Sequence, residues 1–301
     1  MSQVVVTTGK RFTDIDALAC VIAYKEILPT PVIAVIPGSL NQSVTKDIRL
    51  WPLDYQKTLD KNPEYSFVIV DVSEDSQLPS FVNKEKIIEI YDHHFGFEKI
   101  WQERLGGKAK IEEIGACATL IWEEFKSRNP EKKISTLAAN LLYTAIFSNT
   151  LNFQASLTSP RDQKAFDELR SLVDLPADWI PQYYQDQELQ AYLNTQRAVF
   201  RDTKIQFIKG MKCAVGQMEL WNSENFIKEK KDEIALVLKS FETEHWMLIS
   251  PSISEGRDYI FTKSQLLKDL LSQSMRIDFF GTDVGVTDKL WIRKEILKKV
   301  Q

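Results

Sequence analysis

The chain lacks the features that mark extracellular, membrane and nucleic-acid-binding proteins. Its three cysteines, Cys20, Cys117 and Cys213, stand singly in apolar contexts, so no disulfide framework is predicted and a reducing compartment is favoured. No apolar run approaches the length that a bilayer requires, and the first residues do not resemble a signal peptide. A formal net charge of −4 offers no general attraction for nucleic acid. These absences predict a cytoplasmic protein, with neither a membrane nor a nucleic acid as a favoured partner.

The composition indicates a folded protein with one large or two ordinary domains. The chain has 301 residues, which is enough to bury a proper core. Its contents of 44% hydrophobic and 27% charged residues are typical of soluble globular proteins.

Histidine is as scarce as cysteine, yet two of the three histidines are adjacent. His93 and His94 follow Asp92 at the end of an apolar run, residues 86–90, which predicts a buried parallel strand. Open α/β folds bind their ligands at the carboxyl ends of such strands. Imidazole and carboxylate together suit manganese, zinc, iron or cobalt. For this stretch alone, an ordinary polar strand end with a hydrogen-bonded histidine pair is an equal alternative.

Two further stretches place carboxylates at strand ends. Asp14 and Asp16 follow the strand Val4–Val6 and a glycine turn, and they open a helix whose apolar residues recur at helical spacing. Helix capping accounts for one of these two aspartates by itself. Asp71 closes the apolar strand Phe67–Val70. Carboxylates and imidazoles at three separate strand ends favour a joint metal site over their separate structural explanations.

The second half of the chain has a different pattern. A stretch with prolines and aromatic residues, 175–181, interrupts the periodicity, so the interdomain connection is predicted between there and Phe200. The later elements are predicted to be strands at 205–208 and 213–218 with a Lys209-Gly210 hairpin turn, a charged helix at 225–239, strands at 245–249 and 258–261, and a helix at 264–272. The prediction is an α/β protein with a parallel-sheet domain over 1–185, a linker over 186–200 and a smaller mixed α+β domain over 201–301. The active site is expected in the cleft between the domains.

These motifs, in this order, resemble the DHH phosphoesterase superfamily. The residues that carry the resemblance in the first half are Asp14–Ala17, Val70-Asp71, Asp92–His94, Gly115–Thr119, Leu142–Phe153 and Thr158–Pro160. The second half is similar to the second domain of the family II inorganic pyrophosphatases, through Asp202–Lys204, Lys212–Glu219 and Trp291–Leu297. The resemblance covers nearly the whole chain and extends to the prune-type exopolyphosphatases. It implies a DHH domain followed by a DHH-associated substrate-binding domain.

The resemblance also implies a divalent-metal cofactor, manganese in the first place, with magnesium or cobalt as alternatives. Asp71 would bridge two metals. Asp14 would bind one of them, and Asp16 with His93 would bind the other. The fourth motif would contribute Asn149 as a further ligand.

The same resemblance implies roles in catalysis and substrate binding. His94 would act on the substrate phosphate as a hydrogen-bond donor or acid, and Asp92 would orient a histidine from behind. Together with Asp71, these two residues would form the catalytic group around a metal-activated water. The substrate would be a small phosphate anion, bound by Lys204, Arg293, Lys294 and Lys10.

Two departures from the family pattern fall on ligand positions. Lys10 stands where the pyrophosphatases have a histidine, and Asn149 stands where they have an aspartate; Val72 also replaces a histidine. One hypothesis is a phosphohydrolase that cleaves pyrophosphate or short polyphosphate, with the charge of Lys10 substituting for part of one metal. The other is an impaired member that binds a phosphorylated ligand or a protein partner without turnover. A homodimer is left open.

Overall fold

The computed structural model describes residues 3–60 and 64–300, and the chain divides into two compact units. The first unit runs to Phe153 and includes Leu157–Ala177. The second unit comprises Gln154–Ser156 and the chain from Asp178 onward. In the described part of the chain, no helix is both long and apolar enough to cross a membrane.

The first unit is built on a parallel sheet. Its elements are β1 (Gln3–Thr7), β2 (Phe12–Thr13), α1 (Ile15–Tyr24), β3 (Val32–Val35), β4 (Ser39–Leu40), α2 (Lys46–Arg49), β5 (Tyr65–Val70), β6 (Ile87–Asp92), α3 (Glu98–Leu105), β7 (Ala109–Ile111), α4 (Cys117–Arg128), α5 (Thr136–Asn149) and α6 (Pro160–Leu169). Short 3-10 segments occupy Asp75–Gln77, Lys84–Lys86 and Gly106–Lys108. Five strands pair in the order β3-β1-β5-β6-β7, all parallel, and β2 pairs with β4 separately.

The order of the central strands places the sequence motifs together. β1, β5 and β6 are neighbours, and parallel strands end at the same edge of a sheet. The residues that follow β1 and β5, and those at the end of β6, are therefore brought to one edge. α1 is buried along its whole length, because it packs against α4 and α5. Another cluster joins Trp101 of α3 to Phe67, Ile69 and Ile90 of the sheet.

The second unit is a mixed sheet with helices. Its elements are α7 (Trp179–Leu193), α8 (Thr195–Asp202), β8 (Thr203–Ile208), β9 (Met211–Gln217), α9 (Ser223–Lys239), β10 (His245–Ser252), β11 (Arg257–Phe261), α10 (Gln265–Ser274), β12 (Ile277–Asp278), β13 (Val284–Thr287) and α11 (Arg293–Val300). The strand order is β12-β13-β11-β10-β9-β8, in which β9 and β10 are parallel and the other neighbours antiparallel.

Alternation along β10 explains why helices cover both faces of this sheet. Trp246 and Leu248 pack in one cluster with α9, whereas Met247 and Ile249 pack in another with α10 and α11. Successive residues of a strand point to opposite faces of the sheet. A strand in which successive residues are all apolar therefore needs a helix layer on each face. The predicted fold class, a parallel-sheet α/β domain followed by a smaller mixed domain, is confirmed by this architecture.

The predicted hairpin turn is also present. β8 and β9 are antiparallel, and Lys209 and Gly210 between them have φ values of 48° and 80°. Two positive φ values in a two-residue loop match the twist of the flanking strands.

The segment predicted as a linker is helical. Residues 186–200 lie mostly within α7 and α8, and the first of these helices begins at Trp179. Pro181 does not break it, because the proline sits in the first helical turn, where a backbone N–H needs no intrahelical acceptor.

Candidate metal and phosphate sites

Asp14 and Asp16 occupy the start of α1. Asp14 is the N-cap, and its Oδ1 accepts the backbone N–H of Ala17 at 2.9 Å. The capping role expected for one of the two aspartates therefore belongs to Asp14. Asp16 has no accessible surface, so its carboxylate depends entirely on protein partners.

Those partners come from helices far away in the chain. The backbone N–H groups of Cys117 and Ala118, at the start of α4, donate to the two oxygens of Asp16 at 2.8 Å each. Asn149, at the end of α5, donates its side-chain amide to Asp16 Oδ2 at 2.5 Å. Burial, followed by the charge of Asp14, raises the pKa of Asp16 to about 7. Asn149 thus meets Asp16 as a hydrogen-bond donor in the position predicted for a ligand.

Asp71 lies directly after β5 with an unusual backbone. Its φ is 56°, in the left-handed region, and its N–H donates to the carbonyl of Tyr91 at 2.8 Å. The carboxylate is buried, and among the described residues its Oδ1 has no hydrogen-bond partner. Burial, followed by the charges of Asp14 and Asp16, raises the pKa of Asp71 well above its usual range. A buried acceptor without a donor is costly, which points to a cation at this oxygen.

His93 faces that oxygen with a lone pair. Its Nδ1 is 3.2 Å from the carbonyl oxygen of Ile114, which can only accept, so Nδ1 carries the proton in the neutral ring. The deprotonated Nε2 then lies 3.4 Å from Asp71 Oδ1 and 3.8 Å from Asp16 Oδ2. Burial, followed by the charge of His94, lowers the pKa of His93, so a second proton on this ring is disfavoured. Lone pairs that converge in this way fit a shared metal ion.

His94 is oriented by the residue two positions before it. Its Nδ1 lies 2.8 Å from Asp92 Oδ1, which also accepts the backbone N–H groups of His93 and His94 at 2.8 and 3.2 Å. The side chain of His94 is 62% exposed. Desolvation would lower its pKa, but the hydrogen bond and charge of Asp92 outweigh it and the pKa of His94 is raised. The pKa of Asp92 is lowered, since the hydrogen bond and charge of His94 outweigh burial.

The donor set fits a divalent metal ion. Potential ligand atoms of Asp71, His93 and His94 all lie within 4.8 Å of one another. A cavity of about 220 Å³ adjoins them and is lined by Asp71, Val72, Ser73, Glu74, Gln77, His94, Phe95 and Phe97. Of the other predicted ligands, Asp16 approaches His93, and Asp14 acts on Asp16 and Asp71 through its charge.

Lys10 lies beside the cavity through its backbone, because it hydrogen-bonds Gln77 of the cavity lining. Its side chain is exposed, and its backbone N–H donates to the carbonyl of Gln77 at 3.0 Å. Among the described residues, no ion pair joins Lys10 to Asp14 or Asp71.

Asp162 is an important residue that sequence reasoning missed. Its fully buried carboxylate accepts from the backbone N–H groups of Gly115 and Ala116, from Thr119 Oγ1, and from the N–H and Oγ of Ser159. A Cβ on Gly115 would lie 2.8 Å from Asp162 Oδ2, so a glycine is needed for this approach. Asp162 thereby fixes the turn that presents the donors to Asp16. The Ser-x-x-Asp capping box of α6 was a signal that could have found it.

The predicted substrate-binding residues of the second unit line one cavity of about 440 Å³. Its lining consists of Lys204, Gln206, Gln217, Ile292, Arg293, Lys294, Leu297 and Lys298. Arg293 is fixed there, because its Nη1 donates to the carbonyls of Asp202 and Val215 at 2.5 and 3.2 Å. Burial, followed by the charge of Arg293, lowers the pKa of Lys204. Among the described residues, this lining holds four basic side chains and no acidic one, which suits an anion.

Comparison with known proteins identifies relatives over nearly the full chain. A Clostridium acetobutylicum protein named "probable manganese-dependent inorganic pyrophosphatase" is 25% identical, over 99% of this chain and 97% of the relative. A manganese-dependent inorganic pyrophosphatase of Methanothrix thermoacetophila is 22% identical, over 89% and 88% of the two chains. A scan against models of protein families finds no match.

Solved structures show the same fold. A Methanococcus jannaschii protein assigned to the family II inorganic pyrophosphatases superposes with a TM-score of 0.68 at 18% identity, over 99% of both chains. An exopolyphosphatase-related protein from Bacteroides fragilis gives a TM-score of 0.52 at 12% identity, over 99% of this chain and 90% of the other. The predicted resemblance to the family II pyrophosphatase and exopolyphosphatase branch is confirmed.

Proposed function

We propose that this chain is a metal-dependent phosphohydrolase that cleaves phosphoanhydrides, namely pyrophosphate or short-chain polyphosphate. One observation carries the proposal: His93 Nε2 and the unpartnered Asp71 Oδ1 face each other at 3.4 Å beside a cavity. Manganese is the metal favoured for the site, since the full-length relatives are named as manganese-dependent enzymes.

Asp71, His93, Asp16 and Asp14 are the residues that would hold metal. A divalent ion bound there would lower the pKa of a water molecule and neutralise charge on phosphoryl oxygens. Asp92 accepts a hydrogen bond from the protonated Nδ1 of His94. A second proton on this ring would therefore lie on Nε2. Because the pKa of His94 is raised, its ring binds a second proton more readily, and Nε2 would donate that proton to a phosphate oxygen.

The second unit would bind the phosphate groups of the substrate. Arg293 holds its guanidinium in place through two backbone carbonyls and keeps further N–H donors for phosphate oxygens. Lys204 and Lys294 line the same cavity and add charge. Such a pocket selects a small, highly charged anion, and the net charge of −4 disfavours a nucleic acid.

A second candidate function is phosphate binding without turnover. It is favoured by the amide of Asn149, which donates to Asp16 Oδ2 and so brings no negative charge to the ligand set. Loss of one carboxylate lowers metal affinity, because divalent ions are held largely by ligand charge.

Phosphate release from pyrophosphate and from tripolyphosphate separates these two functions. The measurement uses metal-stripped protein with manganese, magnesium or cobalt added, beside Asp71→Asn. Asp54→Asn is the matched control, since the Asp54 side chain is 90% exposed and pairs with Lys25. We expect metal-dependent release that Asp71→Asn reduces by on the order of a thousandfold and Asp54→Asn leaves unchanged. Thermal stabilisation by both compounds without release under any metal would instead establish the binding protein.

A further inference from the structure

The basic cavity of the second unit contains one cation for which neither the resemblance nor the proposed mechanism has a role. Lys298 lines the cavity together with Lys204, Arg293 and Lys294. It lies near the end of α11, one helical turn beyond Lys294.

Packing of α11 fixes the direction of its lysines. Ile296, Leu297 and Val300 are buried in the cluster that covers one face of the six-stranded sheet. Residues four apart lie on the same face of a helix, with Cβ atoms about 5–6 Å from each other. Lys294 and Lys298 therefore form a short row of charge along the cavity wall rather than one clustered point.

The two adjacent lysines at the end of α11 have different surroundings. Lys299 Nζ lies 4.6 Å from the ring centroid of Trp291, a cation–π contact. Lys298 is exposed, and within residues 3–60 and 64–300 its ammonium group makes neither a hydrogen bond nor an ion pair. The described residues that line the cavity include no carboxylate that would neutralise Lys298, so its charge is available to an anion.

We propose that Lys298 is a specificity-determining residue that favours substrates with three or more linked phosphates over pyrophosphate. Lys298 extends the row of charge one helical turn beyond Lys294, so it would contact the part of a longer anion that continues past Lys294. The inference rests on the proposed function, because it names the length of the anion that the same cavity takes.

Direct binding tests this role separately from hydrolysis. The proposed hydrolysis needs a metal, so metal-stripped full-length protein should leave its ligand intact and titration calorimetry should give Kd values for tripolyphosphate and pyrophosphate. We expect Lys298→Gln to weaken tripolyphosphate binding roughly fivefold to tenfold and pyrophosphate binding less than about twofold. Lys298→Arg keeps the charge and should keep the preference. Lys299→Gln is the matched control, and it should change neither Kd.

The outcomes that overturn the proposal are distinct from a failure of catalysis. If Lys298→Gln weakened the binding of both ligands equally, Lys298 would contribute only general positive charge and would not determine specificity. Unchanged binding of both ligands, or no binding by the wild-type chain, would remove Lys298 from substrate recognition. Protein that binds tripolyphosphate with the expected preference but releases no phosphate with any metal would uphold this inference and refute the proposed hydrolysis.

Discussion

In the first unit, Asp16 and Asp71 are buried carboxylates with raised pKa values, and donors from distant segments of the chain hold Asp16. In the second unit, Lys294 and Lys298 are exposed cations that a single helix presents to a cavity. Buried like charges repel each other strongly, so they persist only where donors are fixed around them and a cation can enter. Exposed cations need no such support, and helical spacing alone arranges them.

The difference predicts where substitutions are felt. The acidic site depends on residues that never touch a ligand, such as Asp162, whereas the basic cavity depends on the side chains that line it. Substitution of a supporting residue in the first unit should therefore have a larger effect on stability and ligand binding than a substitution in the second unit.

Asp162→Ala should give the largest effect. It leaves buried donors of Gly115 and Thr119 without an acceptor, so we expect a loss of about 3–5 kcal/mol in the free energy of unfolding. Manganese affinity should fall too, because the turn that holds Asp16 loosens. Urea unfolding and manganese titration measure both effects.

Asp167→Ala is the control for that substitution. Asp167 lies on the same helix, its side chain is 53% exposed, and it pairs with Arg170 at 3.6 Å. Its removal should cost less than about 1 kcal/mol. If the two variants lost equal stability, the support that Asp162 gives to the acidic site would be refuted.

Asn149→Asp sharpens the comparison by adding a charge to the acidic site. Without metal, two carboxylates would face each other where the amide now donates at 2.5 Å, so the unfolding temperature should fall. With manganese, the extra negative ligand should raise metal affinity roughly tenfold. Calorimetric titration and thermal unfolding with and without manganese test these opposite signs. A fall of the unfolding temperature under both conditions would contradict a ligand role at position 149.

Asp258→Asn should have the smallest effect. Asp258 is a buried carboxylate of the second unit whose Oδ2 accepts the N–H of Trp291 at 3.0 Å, while its Oδ1 has no partner among the described residues. Burial raises its pKa well above the usual range. The folded state therefore binds this proton more tightly than the unfolded state, and stability falls as the pH rises through the folded pKa.

An asparagine keeps the acceptor for Trp291 and cannot ionise. Asp258→Asn should therefore stabilise the protein by roughly 1 kcal/mol at pH 8 and by less at pH 5. Manganese should raise the unfolding temperature of this variant as much as that of the wild type, because Asp258 is not part of the group of potential metal ligands found among the described residues. Thermal unfolding at the two pH values, with and without manganese, tests this prediction. A larger gain in stability at pH 5 than at pH 8 would contradict the assigned direction of the pKa shift.

Short-range signals in the sequence were sufficient for much of the fold. The apolar runs that end in Asp71 and in Asp92 predicted two strands, which the structure pairs in parallel, and Lys209-Gly210 predicted a hairpin. The helical stretch from Trp179 was missed, because Pro181 was taken as a break although it lies in the first turn. A proline breaks a helix when it lies in the helix interior and is tolerated when it lies in the first turn. Composition does not distinguish these two cases.

What the sequence determined by itself is the kind of chemistry and its approximate place: carboxylates and imidazoles at strand ends in the first half, and basic residues in the second. What only the tertiary structure decided is how each group is held. Asp16 meets Cys117, Ala118 and Asn149 across more than a hundred residues, and His93 receives its tautomer from the carbonyl of Ile114. Such contacts depend on how helices pack on a sheet. They use backbone donors and acceptors, which nearly every residue carries, so the residue types do not reveal them.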